Sequence, residues 1–269
     1  MKLKNTRILI TGASGGIGGA LAHALDQRGA CLLLHGRNAD VLHHIQQNLL
    51  NPECHQIVIA DLCVDSERQK LVDAVAQLGG VDILINNAGI NYFAWLENQS
   101  EHQIQQQLLL NIQAPILLTR DILPHLHKPG MIMNIGSSFG GIGYAGYSVY
   151  CASKFAIRGF SEALGRELAG TSIKVLHFAP RATQTTLNSA AVCAMNAELG
   201  TKSDSAEYVA QQVVCALEKE RVRSWLGWPE RFFVKLNALF PNLVDKALVK
   251  QRHVIARHAK VSTDKENLR

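Results

Sequence analysis

The sequence predicts an α/β fold: a doubly wound parallel sheet of about seven strands, with helices on both faces and a helical C-terminal extension. Three observations carry this expectation. Short, wholly apolar runs alternate with segments of helical periodicity, the pattern of strands buried on both faces. The first apolar run leads straight into a glycine-rich loop, and a helical pattern opens behind it. No Pro/Gly/Ser-rich linker, internal repeat or low-complexity block divides the chain. One domain over 1–229 is therefore expected, followed by an extension over 230–269. Right-handed crossovers between the parallel strands give the doubly wound form.

The elements follow in order. Arg7–Thr11 is the first strand, and Gly16–Arg28 a helix with Ile17, Leu21, Ala24 and Leu25 on one face. Cys31–His35 is the second strand, followed by a helix over Ala39–Leu50 with Val41, Leu42, Ile45 and Leu49 inward. Gln56–Ala60 is the third strand, and the helix Ser66–Leu78 turns Leu71, Val72, Val75 and Leu78 inward. Ile83–Asn86 is the fourth strand. A long helical stretch from Gln99 to His127 follows, interrupted near Pro115. Met131–Ile135 is the fifth strand, Tyr150–Leu168 a helix, Lys174–Phe178 the sixth strand and Arg223–Leu226 the seventh.

Composition narrows the class. The chain has 269 residues, 47% apolar and 18% charged, enough to bury a core and unlike a disordered chain. With 21 Gly and 7 Pro it is not collagen-like. No apolar run approaches ~18 residues, so no spanning helix is expected. The basic N-terminus has no long apolar region or cleavage site, so no signal peptide is read there. Six scattered cysteines without a C-x-x-C pair read as free thiols in a reducing, cytoplasmic compartment. The histidines form no metal motif, and His43, His44, His125 and His127 read as surface or capping residues, so no metal is expected. The net charge of +5 resides in the tail: residues 230–269 hold 9 Lys/Arg against 4 Asp/Glu, while residues 1–229 balance at 18 each. Nothing in this pattern calls for nucleic acid.

Residues with chemistry gather at the ends of the predicted strands, where open α/β sheets bind ligands. The loop Thr11-Gly12-Ala13-Ser14-Gly15-Gly16-Ile17-Gly18 has T-G-x-x-x-G-x-G spacing. Its glycines let backbone approach a pyrophosphate at a helix N-terminus. Asp61 ends the third strand, Asn86-Asn87-Ala88-Gly89 the fourth and Asn134-Ile135-Gly136-Ser137 the fifth, while Asn111 lies in the long helix. Tyr150 and Lys154 stand four apart on one helical face, so both can enter one cleft. A phenol has a pKa near ~10, and a nearby ammonium should lower it toward the working pH. Tyr144 and Tyr147 have no lysine four residues on.

In these motifs, over residues 5–228, the chain resembles the short-chain dehydrogenase/reductase family in its compact form, most like its β-ketoacyl reductases and related ketoreductases. The resemblance implies a Rossmann-type dinucleotide fold with Tyr150 as general acid/base and Lys154 tuning it. It implies that Ser137 orients the reacting oxygen and that Asn111 holds a relay water. Ser138 competes, but Ser137 stands 13 residues before the tyrosine and three before Gly140, the family's spacing. The implied cofactor contacts are Gly12, Ser14, Gly16, Ile17, Gly18, Asp61, Leu62, Asn87, Ala88, Gly89, Tyr150, Lys154, Pro180, Thr183 and Thr185. NAD-binding members carry an acid after the second strand, whereas this chain has Gly36 and then Arg37, a residue suited to a 2′-phosphate. The family's second basic position is Gly15 here. NADP(H) is the expected cofactor, NAD(H) the alternative.

The chain departs from the family at Arg181, which replaces a glycine after the sixth strand. Two readings stand: it meets an anionic part of the substrate, or it is a variant loop residue facing solvent. Residues 183–205 fit the substrate lid. The extension mixes apolar residues with cations, which fits either peripheral contact with anionic lipid through 230–260 or packing on the body or another subunit. The expected activity is NADPH-dependent reduction of a ketone or acyl-type carbonyl, a small molecule that the apolar extension would suit if lipophilic, to a secondary alcohol. The alternative is NAD-dependent oxidation of a secondary alcohol. A non-catalytic nucleotide-binding protein would not need the Asn–Ser–Tyr–Lys set. The family implies a homodimer or homotetramer.

Overall fold

The computed structural model describes residues 1–266, and side chains through Ala259. The chain begins with Arg7–Ile10 (β1), Gly16–Asp26 (α1), Cys31–Gly36 (β2), Ala39–Gln47 (α2), Gln56–Ile59 (β3), Asp65–Gln77 (α3) and Val81–Asn86 (β4). Glu101–Leu108 (α4), Ala114–Ile122 (α5), Leu126–Ile135 (β5), Ser148–Glu167 (α6) and Ile173–Ala179 (β6) follow. Then come Thr183–Gln184 (β7), Ala190–Glu198 (α7), Asp204–Ser205 (β8), Ala206–Glu218 (α8) and Arg223–Trp225 (β9). Three helices close the chain: Glu230–Leu239 (α9), Pro241–Val249 (α10) and Arg252–Glu266 (α11).

Seven strands form one parallel sheet in the order β3-β2-β1-β4-β5-β6-β9. Successive strand residues point to opposite faces, so each strand feeds two cores. Ile8, Ile10, Leu32, Leu34, Ile83 and Ile85 pack with Leu21 and Leu25 of α1 and Val209 and Val213 of α8. Leu9, Leu33, Leu84 and Ile132 pack on the other face, with Leu71 of α3, Leu118 of α5 and Leu164 of α6. This is why the strands read as continuous apolar runs. The strand order reverses between β1 and β4, and the crevice at their carboxyl ends is where such sheets take ligands.

Several boundaries differ from expectation. The second helix stops at Gln47 rather than Leu50, because the Asn48 side chain turns back onto the His44 carbonyl at 2.7 Å. The exposed face of that helix carries Val41, which the periodicity had placed inward. The interruption expected near Pro115 takes the form of a π turn over Leu109–Gln113. Pro115 itself sits in the first turn of α5, where a missing N–H is tolerated. Residues 183–205 are ordered by a β7–β8 ladder and by α7, which Ser189 caps through its hydroxyl. Six free thiols were expected, but Cys31 and Cys54 are bonded, with Cα atoms 5.2 Å apart. Cys63, Cys151, Cys193 and Cys215 are free.

Candidate active site

The glycine loop is bound to the end of β4. Thr11 Oγ1 accepts the N–H groups of Asn87 (3.0 Å) and Ala88 (3.1 Å), and Asn87 Nδ2 donates to the Thr11 carbonyl at 3.0 Å. Gly12 has φ +67°, and a Cβ there would lie 2.8 Å from Ala88 Cα. A Cβ on Gly18 would lie 2.1 Å from the Gly12 carbonyl oxygen. Glycine is therefore needed for the helix to seat against its own loop. Gly15 caps α1 without any side-chain hydrogen bond, and the first turn holds no acid, so its N–H groups face the crevice without an internal anion. Thr185 closes over this turn: a Cβ on Gly16 would meet its Cγ2 at 2.8 Å. The lid and the loop thus meet.

The second strand ends beside this loop. His35 is buried, accepting from the Gly12 N–H at Nδ1 (3.4 Å) and donating from Nε2 to the Ala60 carbonyl (3.0 Å). Burial pulls its pKa down to about 4, so it is a neutral structural pin. A Cβ at Gly36 would sit 2.8 Å from Ser14 Oγ, so the strand end lies directly against the glycine loop. Arg37 is exposed and makes no ion pair among the described residues, while Asn38 is occupied capping α2 at Val41 N–H. Asp61 accepts the Cys63 N–H at 2.9 Å, a local turn that fixes its carboxylate just past β3 with Leu62 buried beside it.

Ser137, Tyr150 and Lys154 converge where β5 ends and α6 begins. The Ser137 hydroxyl accepts the Phe139 N–H at 3.2 Å and lies close enough to Tyr150 to favour its charged form. Burial pushes the Tyr150 phenol up to about 12, and Ser137 pulls only partly the other way. Lys154 is buried, its Nζ donates to the Ile135 carbonyl at 3.1 Å, and it stands 5.7 Å from the centre of the Tyr150 ring. Burial brings Lys154 down to about 8. The expectation that the ammonium depresses the tyrosine is thus corrected. Desolvation raises Tyr150, and Lys154 is directed toward a carbonyl rather than the phenol oxygen.

Asn111 lies in the π turn. Its Oδ1 accepts the Ile90 N–H at 2.9 Å, and its Nδ2 donates to the Ile90 carbonyl (2.8 Å) and to Ser153 Oγ (3.1 Å). Both amide protons are spent on holding the loop after Gly89 against α6. Pro115 has no N–H to offer the Asn111 carbonyl four residues before it, which suits the π turn found there. Gly89 faces both groups: a Cβ there would lie 3.1 Å from Asn111 Oδ1 and 3.7 Å from Lys154 Nζ.

Pro180 holds the strand end to the β5 turn through Ser138 N–H at 2.9 Å. Thr183 Oγ1 donates to the Arg181 carbonyl at 2.9 Å, and Asn188 Nδ2 donates to the Thr183 carbonyl at 2.7 Å. Arg181 takes neither of its two expected roles. It forms a two-toothed pair with Asp204, at 2.9 and 2.6 Å, and reaches Glu230 at 3.5 Å. It ties the lid and the start of α9 to the end of β6.

Around these groups lie contacts that the sequence reading did not give, and His177, Phe93 and Phe139 it did not single out. Asn86 Nδ2 donates to Asn134 Oδ1 (2.8 Å) and Thr119 Oγ1 (3.0 Å), and Asn134 passes the chain on to Ser161 (2.8 Å). His177 lies buried under Gly136, its Nε2 without a partner, and burial pulls it down to about 4. Phe93, Tyr144, Tyr147 and Phe139 surround Tyr150 and pack with Val192 and Met195 of α7 and Val254 and Ile255 of α11. The density of aromatics over 139–150 was the available signal. The C-terminal helices thus help wall the cleft.

The family model "short chain dehydrogenase" matches residues 6–195. An uncharacterized oxidoreductase of Staphylococcus saprophyticus is 33% identical over 190 residues, which is 69% of this chain and 77% of that protein. A short chain dehydrogenase from Burkholderia cenocepacia, solved in complex with NADP, is 28% identical, covers 86% of this chain and all of its own, and superposes with a TM-score of 0.77. One from Burkholderia phymatum, solved in complex with NAD, is 22% identical over 90% of this chain and 96% of its own; its TM-score of 0.80 shows the fold alone. With the parallel sheet, the glycine loop and the Ser–Tyr–Lys convergence, these matches place the chain in the short chain dehydrogenase family, as an oxidoreductase working with a nicotinamide dinucleotide.

Proposed function

We propose that the protein reduces a ketone or acyl-type carbonyl to a secondary alcohol, with NADPH as the hydride source. The carrying observation is the convergence of Ser137, Tyr150 and Lys154 beside the uncapped glycine loop, with Lys154 Nζ 5.7 Å from the centre of the Tyr150 ring. Tyr150 is protonated at neutral pH and can donate that proton to a carbonyl oxygen. Ser137, at the end of β5 beside Tyr150, presents a second hydroxyl to the same oxygen.

The residues present fit the dinucleotide, because the cradle over Gly12, Gly16 and Gly18 is closed to any Cβ and the α1 N-terminus is uncapped. Gly12, Ser14, Gly16, Ile17 and Gly18 would hold the pyrophosphate, and Arg37 the 2′-phosphate. Asp61 and Leu62 would flank the adenine. Asn87, Ala88 and Gly89 would line the ribose side, with Tyr150 and Lys154 on the nicotinamide ribose. Pro180, Thr183 and Thr185 would border the carboxamide and phosphates. When bound, the nicotinamide supplies a hydride to the carbonyl carbon. Tyr150 Oη donates the proton to the oxygen, and Ser137 fixes that oxygen's position. Lys154, mostly charged at neutral pH with its pKa near 8, returns a proton toward Tyr150. Asn111 would hold the water that links Lys154 to solvent.

A panel of ketones, acyl thioesters and sterol-like alcohols, followed by nicotinamide absorbance with each cofactor, tests the reading. Turnover of a carbonyl with NADPH at a rate well above that with NADH is expected. Turnover confined to alcohols with NAD would overturn it. The family's usual homodimer or homotetramer is part of the proposal, and the mass of the intact protein in solution checks it.

A further inference from the structure

We propose that α9 and α10 form a docking surface for an anionic lipid bilayer. The inner faces of these helices are already satisfied. Val234 is buried against Gly141, where a Cβ would lie 2.7 Å from its Cγ1, and Asn237 Nδ2 donates to the Gly141 carbonyl at 3.1 Å. Val244 of α10 is likewise buried. Packing on the body therefore accounts for one side of the segment and leaves the other open.

That open side has the wrong chemistry for water. Phe232, Leu236 and Leu239 stand at i, i+4 and i+7, one stripe of α9 opposite Val234. Phe232 is 46% and Leu239 73% exposed, where an ordinary surface helix is polar. Trp228, 74% exposed, rests its ring 5.8 Å from that of Phe232. Phe240, Leu243 and Val249 extend the exposed apolar surface into α10. Arg231 and Lys235 form a stripe beside Phe232 and Leu239, and Lys246 and Lys250 stand four apart across the end of α10. None of the four makes an ion pair among the described residues, and Glu230 is engaged by Arg181. Asp245 is the one acid of α10.

Two occupants could cover an apolar face, and charge separates them. A two-fold contact between copies sets the same patch against itself. Arg231, Lys235, Lys246 and Lys250 would then confront their own counterparts with little acid to offset them. An anionic bilayer meets both features. Phe and Leu enter below the headgroups, Trp sits at the interface, and the cations meet lipid phosphates. No helix among the described residues is long and apolar enough to cross a membrane, so the contact is peripheral. The inference does not depend on the reaction proposed above.

The full chain is sedimented with vesicles of phosphatidylcholine alone and of phosphatidylcholine mixed with phosphatidylglycerol. Retention on the mixed vesicles, weakened by salt, is expected, because screening shortens the reach of the cations. The variant Lys235→Gln/Lys246→Gln, which alters exposed side chains only, should partition about fivefold more weakly per charge removed. Phe232→Ser/Leu239→Ser should lose at least about tenfold, with its melting temperature unchanged. Equal retention on both vesicles, no retention on either, or indifference to both variants overturns the proposal. So does a wild-type dimer in size exclusion that Phe232→Ser/Leu239→Ser dissociates, since the face would then join copies of the chain.

Discussion

Replacing Arg181 by alanine removes the clamp between the end of β6, the lid and α9. The guanidinium holds both oxygens of Asp204, at 2.9 and 2.6 Å, and touches Glu230 at 3.5 Å. Asp204 is 8% exposed and Arg181 16%, so the pair is shielded but not dry. Removing one partner of a fully buried pair costs roughly 3–5 kcal/mol, because the remaining charge keeps its desolvation penalty. Water can reach this edge, which lowers the figure to about 2–3 kcal/mol. At roughly 2–4 °C per kcal/mol for a domain of this size, the melting temperature should fall by about 5–10 °C. Thermal unfolding of Arg181→Ala, Asp204→Asn and the double variant reads this directly. The double variant should lose less than the sum of the two, since each single change already breaks the pair. Were Arg181 a contact for an anionic substrate, Arg181→Ala would melt within about 2 °C of the parent and raise only KM. That pattern would refute the clamp.

Arg37→Ala should weaken NADPH by about ten- to a hundredfold and leave NADH nearly unchanged, because only NADPH brings a 2′-phosphate to the unpaired guanidinium. Titration calorimetry with both cofactors checks it, and equal weakening counts against the assignment. Gly18→Ala should cost about 1–3 kcal/mol of stability and weaken cofactor binding, since its Cβ would lie 2.1 Å from the Gly12 carbonyl oxygen. Acid should destabilise the fold between pH 6.5 and 4. His35 and His177 are held neutral, with pKa values near 4 when folded and near ~6.5 when unfolded, so the unfolded chain binds protons first as pH falls. Unfolding free energies from denaturant titrations at pH 7 and pH 5 should differ by about 2 kcal/mol per histidine, and a flat profile across that window would show that the two are not buried neutral.

The strands were legible because a sheet covered on both faces demands continuous apolar runs, and each of the seven runs became a strand. Ser137, Tyr150 and Lys154 were legible as a group because spacing along a helix and a strand end sets their proximity. What they do to one another was not. Helical spacing reports distance, whereas burial sets the phenol's pKa, and burial depends on Phe139, Tyr147 and a helix more than a hundred residues downstream. The break near Pro115 was felt in the sequence, but its form as a π turn follows from contacts of Asn111 with Ile90 and Ser153 on other elements. Arg181 could not be interpreted alone, since its partners lie 23 residues away at Asp204 and later still at Glu230. The small, weakly patterned residues of 183–205 hid α7, whose order comes from α11 and from the Ser189 cap. The bonding of Cys31 to Cys54 depends on β2 lying beside the turn before β3, which no spacing rule reports.

The central claim is that Tyr150 delivers the proton while the dinucleotide delivers the hydride. Tyr150→Phe keeps the ring among Phe139 and Tyr147 and removes only the donor. Steady-state reduction of the best carbonyl from the panel, measured beside NADPH affinity for the same preparation, isolates that step. The account predicts that kcat falls by about a thousandfold or more, toward the upper range of general acid catalysis, while NADPH still binds. A variant that keeps more than about a tenth of the parent activity would contradict it, because the proton would then come from another group.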